Sequence, residues 1–71
     1  MRYTVVLEKG ESSYGSFVPD LPGCVAVGES KEEALSLIKE AIAFHIEGLK
    51  EEGVPIPRPH CEFEQVKISA A

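Results

Sequence analysis

Residues 30–53 read SKEEALSLIKEAIAFHIEGLKEEG, and this stretch decides the fold. Its apolar residues recur at intervals of three and four, which is the spacing of one face of an α-helix. Ser30 with Glu33 three positions later forms a capping-box pattern, in which the serine hydroxyl accepts from the Glu33 N–H. Gly53 suits the left-handed conformation that ends many helices. The stretch therefore predicts a helix over 31–52, about 33 Å long at a rise of about 1.5 Å per residue.

Three short segments before the helix have the composition of β-strands. Residues 2–9, 14–18 and 24–28 are rich in β-branched, aromatic and other apolar side chains, and turn sequences separate them. Connections this short predict antiparallel pairing between neighbouring strands. Gly15 lies inside the second segment, where it predicts a bulge or a close backbone approach.

The chain after the helix predicts a stiff connection and one more strand. Proline alternates with other residues over 55–59, which favours an extended segment. Residues 62–68, EFEQVKI, predict the last strand. The order is then β-β-β-α-β, an α+β fold in which a three-stranded antiparallel meander carries one long helix on one face, followed by a final strand. The other sheet face is apolar enough to predict association with a second chain.

Length and charge narrow the classes of function. A chain of 71 residues has room for one domain, and a domain so small often needs a disulfide, a metal or a partner subunit. The 12 acidic against 7 basic residues give a net charge of -5, which disfavours phosphate binding and therefore direct nucleic-acid binding. The same charge favours encounter with a basic protein.

Cysteine usage and the lack of a long apolar run indicate the compartment. Two cysteines do not form a disulfide framework, and they fit a reducing interior. The N-terminal apolar run is too short for a signal sequence or a membrane span. The sequence therefore predicts a cytoplasmic protein.

Four residues have side chains suited to catalysis or metal binding, but their spacing in the sequence favours neither kind of site. Cys24 and His45 could form a nucleophile–base pair, yet Cys24 leads into a strand and nothing nearby activates it. A metal site could combine Cys24 and His45 with His60 and Cys61, but the adjacent His60-Cys61 pair lacks the spacing of structural zinc sites. We therefore expect no catalytic residue, no bound metal and no cofactor. A small enzyme or degenerate nuclease is the weaker alternative.

The turn PDLPG at 19–23 stands out. Two prolines and a glycine predict a rigid and largely exposed turn, because proline fixes φ and cannot continue a ladder. Asp20 fits ordinary turn chemistry, in which its side chain bonds to the following backbone. Alternatively, the turn forms part of a recognition surface.

Taken in order along the chain, three motifs resemble the HicB-like antitoxin family. They are FVPDLPGC at 17–24, KEEAL at 31–35 and GVPIPRP at 53–59, and the likeness extends from Tyr3 to Pro59. The resemblance implies a domain described as a partial RNase H-like fold without a working nuclease site. It also implies that the protein binds and neutralises a HicA-type toxin, a small mRNA-cleaving protein, and forms a dimer or tetramer.

The resemblance also suggests where the partner binds. Many family members carry a C-terminal DNA-binding domain, whereas residues 1–71 are expected to form a single HicB-like domain without one. An RNA-binding toxin presents basic surface, so an acidic partner can cover that surface by mimicking RNA charge. The alternative is a stand-alone oligomeric binding module of the same fold with no toxin partner. The residues predicted to bind the partner are Asp20, Leu21, Pro22, Glu40, Glu47 and Glu51.

Overall fold

A computed structural model describes residues 1–69 of the chain. The elements are β1 (Val6–Lys9), β2 (Tyr14–Phe17), β3 (Val25–Gly28) and α1 (Lys31–Glu52). The three strands form one sheet in the order β1-β2-β3, and both neighbouring pairs are antiparallel. The α+β fold with an antiparallel meander and one long helix is therefore confirmed.

The sheet register is regular, and it corrects the prediction about Gly15. Gly15 pairs with Glu8 on one side and Val27 on the other, so the strand contains no bulge. A Cβ added at Gly15 would meet nothing within 4 Å, so no backbone lies close either. The close approach occurs at Gly28, where a Cβ would lie 2.7 Å from the backbone nitrogen of Ala34. Glycine at this position lets the sheet and the helix start pack against each other.

Both ends of α1 are capped as the sequence predicts. The Ser30 hydroxyl accepts from the Glu33 N–H at 3.1 Å. The Glu33 carboxylate accepts in turn from the Glu29 N–H at 3.4 Å, one residue earlier than the standard box places it. Gly53 ends the helix with φ 69°, and its N–H donates to carbonyls of the last turn. These caps satisfy backbone groups that the helix itself leaves without partners.

The core lies between α1 and the sheet. The helix packs against β3 and, less extensively, β2. The buried Ser16 hydroxyl lies 3.2 Å from the carbonyl oxygens of both Ala26 and Ala34, so one side chain links β2 to β3 and to the first helical turn. The buried cluster comprises Val18, Leu21, Cys24 and Ile38, with Tyr3, Val5, Ala26, Ala41 and Ile42 packed around it.

The predicted last strand is absent, because residues 54–69 contain no helix or strand. The three prolines of the segment, at 55, 57 and 59, remove backbone donors only ahead of the predicted strand. Within 62–68 the apolar side chains do not alternate regularly, so no single face of a strand would be apolar. Side chains from the N-terminus hold the segment instead. The Tyr3 hydroxyl donates to the Pro57 carbonyl at 2.5 Å, and the Thr4 hydroxyl donates to the Cys61 carbonyl at 3.0 Å.

Candidate functional site

The turn over 19–23 is closed by three backbone hydrogen bonds. The Leu21 N–H donates to the Val18 carbonyl at 3.0 Å, and the Cys24 N–H donates to the Leu21 carbonyl at 3.0 Å. The Val18 N–H donates to the Cys24 carbonyl at 3.1 Å and closes the base of the loop. Gly23 adopts φ 85°, a conformation that side chains with a Cβ rarely tolerate. This dense bonding supports the predicted rigidity.

The expectation that the turn is largely exposed is wrong for two of its residues. Leu21 is 0% exposed and belongs to the core, and Asp20 is only 3% exposed. Pro19, Pro22 and Gly23 are exposed. The turn folds back so that Leu21 fills the space under the strands, which the sequence pattern did not reveal. Of the predicted partner-binding residues in the turn, Pro22 alone presents its side chain to solvent.

Asp20 anchors the C-terminal segment to the turn. Its Oδ2 accepts from the backbone N–H groups of His60 at 3.0 Å and Cys61 at 3.2 Å. Its Oδ1 lies 2.7 Å from Nδ1 of His60. One carboxylate therefore bridges positions that lie 40 and 41 residues apart in the chain.

The surroundings of this carboxylate shift two pKa values in opposite directions. The pKa of Asp20 is lowered, chiefly by the neighbouring Cys61 thiol; burial opposes the shift, while the two backbone N–H groups and His60 add to it. The pKa of Cys61 is raised by Asp20 as hydrogen-bond partner, by burial and by the carboxylate charge. Burial also raises the pKa of Cys24. Both thiols are thus weaker nucleophiles at neutral pH than free cysteine.

The structure gathers a different set of ligand-type residues from the one considered in the sequence. A carboxylate oxygen of Asp20, a ring nitrogen of His60 and the sulfur of Cys61 lie within 4.8 Å of one another. Cys24 is buried in the core, and His45 lines a shallow groove on α1, so neither joins this cluster. The sequence shows the adjacent His60-Cys61 pair. That this pair lies beside Asp20 depends on the path of the C-terminal segment, which the sequence does not show.

The three predicted helix glutamates form one exposed face. Glu40, Glu47 and Glu51 are all exposed, and at about 100° per residue they lie within about 40° of one another around the helix axis. This acidic stripe points away from buried Ile38. Apart from Asp20–His60, no ion pair is found within residues 1–69, so no basic side chain of the described chain forms a close ion pair with the stripe. Phe44 lies beside it and is 83% exposed.

A second exposed surface is apolar. Val25 and Val27 are 63% and 65% exposed on the sheet face opposite α1. No helix within the described 1–69 is both long and apolar enough to cross a membrane.

Comparison with known proteins identifies a matching family and several similar proteins. Residues 3–69 match the family described as HicB_like antitoxin of bacterial toxin-antitoxin system. The chain is 49% identical to a UPF0150 protein of Thermoplasma acidophilum, over 87% of this chain and 91% of that protein. It is 31% identical to Antitoxin HicB 2 of Photorhabdus laumondii, over 90% of this chain but only 46% of that protein.

A solved structure shows the same fold. A chain of the HicA3 and HicB3 toxin-antitoxin complex superposes with a TM-score of 0.71 and 32% sequence identity. The match covers 84% of this chain and 70% of that one.

Proposed function

This chain belongs to the HicB-like antitoxin family, and on that premise we propose that it binds a HicA-type toxin and covers the toxin's RNA-binding and catalytic surface. Residues 3–69 act in this proposal as one HicB-like domain. The likeness to a chain of a toxin–antitoxin complex supports a partner of this type. The acidic stripe supplies the recognition, and it is the observation on which the proposal depends.

Charge complementarity explains how such a stripe recognises an RNA-binding protein. An RNA-binding surface presents basic groups to phosphates. Glu40, Glu47 and Glu51 offer carboxylates at regular spacing on a rigid helix, with Phe44 beside them for apolar contact. Exposed charge pairs contribute about 0.2–1 kcal/mol each, so the three together account for roughly tenfold in affinity.

The turn contributes in two ways under this proposal. Pro22 contacts the partner, because its side chain is exposed. Asp20 and Leu21 support the turn from beneath, since the first holds the C-terminal segment and the second fills the core.

Neutralising the stripe tests the proposal. The triple variant E40Q/E47Q/E51Q is compared with E11Q/E62Q/E64Q, which removes the same charge from exposed sites outside α1. Binding is measured against a purified HicA-type toxin, at low and high salt. We expect the stripe variant to bind about tenfold more weakly at low salt, with the difference shrinking as salt screens the charges. Equal losses in both variants would contradict recognition by the helix face.

A stand-alone oligomeric binding module without a toxin is the second candidate. Exposed Val25 and Val27 favour it, because an apolar sheet face is usually covered by another chain. Under either candidate we propose a homodimer or homotetramer built through this face. Sedimentation of V25K/V27K should show a monomer where the native chain sediments as an oligomer.

The remaining parts of the proposal concern activity and location. We propose a cytoplasmic protein that catalyses no reaction and binds no nucleic acid itself. The raised pKa values of Cys24 and Cys61 disfavour thiolate nucleophiles, and the net charge of -5 disfavours phosphate binding.

A further inference from the structure

We propose that Asp20, His60 and Cys61 form a binding site for a divalent metal ion of the zinc class. The site lies where the C-terminal segment returns to the turn, away from the acidic stripe. It draws on the three side-chain types that Zn²⁺ prefers, namely a carboxylate, an imidazole and a thiolate.

The buried carboxylate oxygen is the observation that points to a cation. Oδ1 of Asp20 is inaccessible to solvent and receives no hydrogen bond within the described residues. Nδ1 of His60 lies 2.7 Å from it, and the same nitrogen lies 3.2 Å from the Arg58 carbonyl. Buried polar atoms without partners are rare, and an absent ion is one of their recognised causes.

The distances suit a small ion. The three ligand atoms already lie within 4.8 Å of one another. A tetrahedral Zn²⁺ site needs ligand atoms separated by about 3.3–3.7 Å, given metal bonds of about 2.0–2.3 Å. Opening the Asp20–His60 contact from 2.7 Å by about 0.6–1 Å and drawing in the sulfur achieves this. The His60 side chain is 76% exposed and has the freedom to move.

The fold explains what the ion does there. Residues 54–69 contain no secondary structure, and Asp20 is one of their few attachments to the body of the protein. A metal bound to both sides of this contact would staple the segment across about forty residues of chain. Small domains commonly use such a staple because their cores are limited. Three protein ligands leave the fourth position to water.

Titration with Co²⁺ tests the site directly. The reduced, chelator-treated full chain is titrated with Co²⁺ alone and then competed with Zn²⁺. We expect one equivalent of tetrahedral cobalt with a thiolate-to-metal charge-transfer band, and a higher melting temperature when Zn²⁺ is present. Cys61→Ser should abolish the band, and His60→Gln should weaken binding by at least about tenfold.

Two matched variants control for thiol and imidazole content. Cys24→Ser and His45→Gln change residues outside the cluster and should keep both the band and the thermal shift. Far-UV circular dichroism confirms that α1 persists in each variant. A folded native chain that gives no charge-transfer band, or a band that survives Cys61→Ser, would overturn the proposal.

Discussion

Replacing Leu21 with alanine should remove a large part of the stability of the fold. Leu21 is 0% exposed and sits in the buried cluster with Val18, Cys24 and Ile38. Truncating a leucine buried to this degree costs about 2.7–5 kcal/mol, because apolar transfer energy is lost and a cavity remains. A 71-residue domain has a total stability of roughly 4–10 kcal/mol. The variant should therefore melt more than about 10 °C lower, at the edge of being folded.

Urea denaturation followed by the circular dichroism of α1 measures this loss. Phe44→Ala is the matched control, because Phe44 is 83% exposed and its truncation should change the free energy of unfolding by less than about 0.5 kcal/mol at low protein concentration. Leu21→Met keeps the volume and should cost less than about 1.5 kcal/mol while leaving toxin binding intact. Losses of similar size for Leu21→Ala and Phe44→Ala would refute the placement of Leu21 in the core.

Three further changes test other parts of the structure. Gly28→Ala should destabilise the fold by about 1–3 kcal/mol, because the new Cβ would lie 2.7 Å from backbone, whereas Gly15→Ala has free space and should be neutral or stabilising in the same denaturation assay. Ser30→Ala should cost about 1 kcal/mol through loss of the N-cap, measured by thermal melting against exposed Ser36→Ala. The lowered pKa of Asp20 stabilises the fold above the carboxyl's ordinary value of 3.8, and this contribution disappears as pH falls through the folded-state value. In chelator, the melting temperatures of native chain and Asp20→Asn should therefore converge on acidification; a constant gap would contradict the Asp20 anchor.

Local signals were sufficient for the helix and the meander but not for the C-terminal segment. Ser30 and Gly53 mark the ends of α1 by chemistry within one turn, so the sequence alone located the helix. The prediction of a last strand over 62–68 was wrong. Apolar composition does not determine whether the edge of the sheet has free backbone groups with which a further strand can pair. Gly15 and Gly28 show the same limit, since only the packing of strand against helix reveals which glycine is close to another backbone.

The candidate sites also differ in whether they depend on local sequence or on long-range contacts. The acidic stripe could be predicted because helical periodicity places Glu40, Glu47 and Glu51 together. The Asp20 cluster could not, because it depends on contacts spanning about forty residues. The prediction that Leu21 is exposed was wrong because a Pro-Asp-Leu-Pro sequence is typical of surface turns. In the structure the Leu21 side chain instead packs in the buried core.

Displacement of RNA from the toxin tests the central claim most directly. The chain is titrated into a HicA-type toxin that already holds a labelled RNA, and bound and cleaved RNA are both followed. The account predicts that a stoichiometric complex forms while the RNA is released and cleavage stops. A complex in which the toxin still binds and cuts RNA, or the absence of any complex, would contradict it.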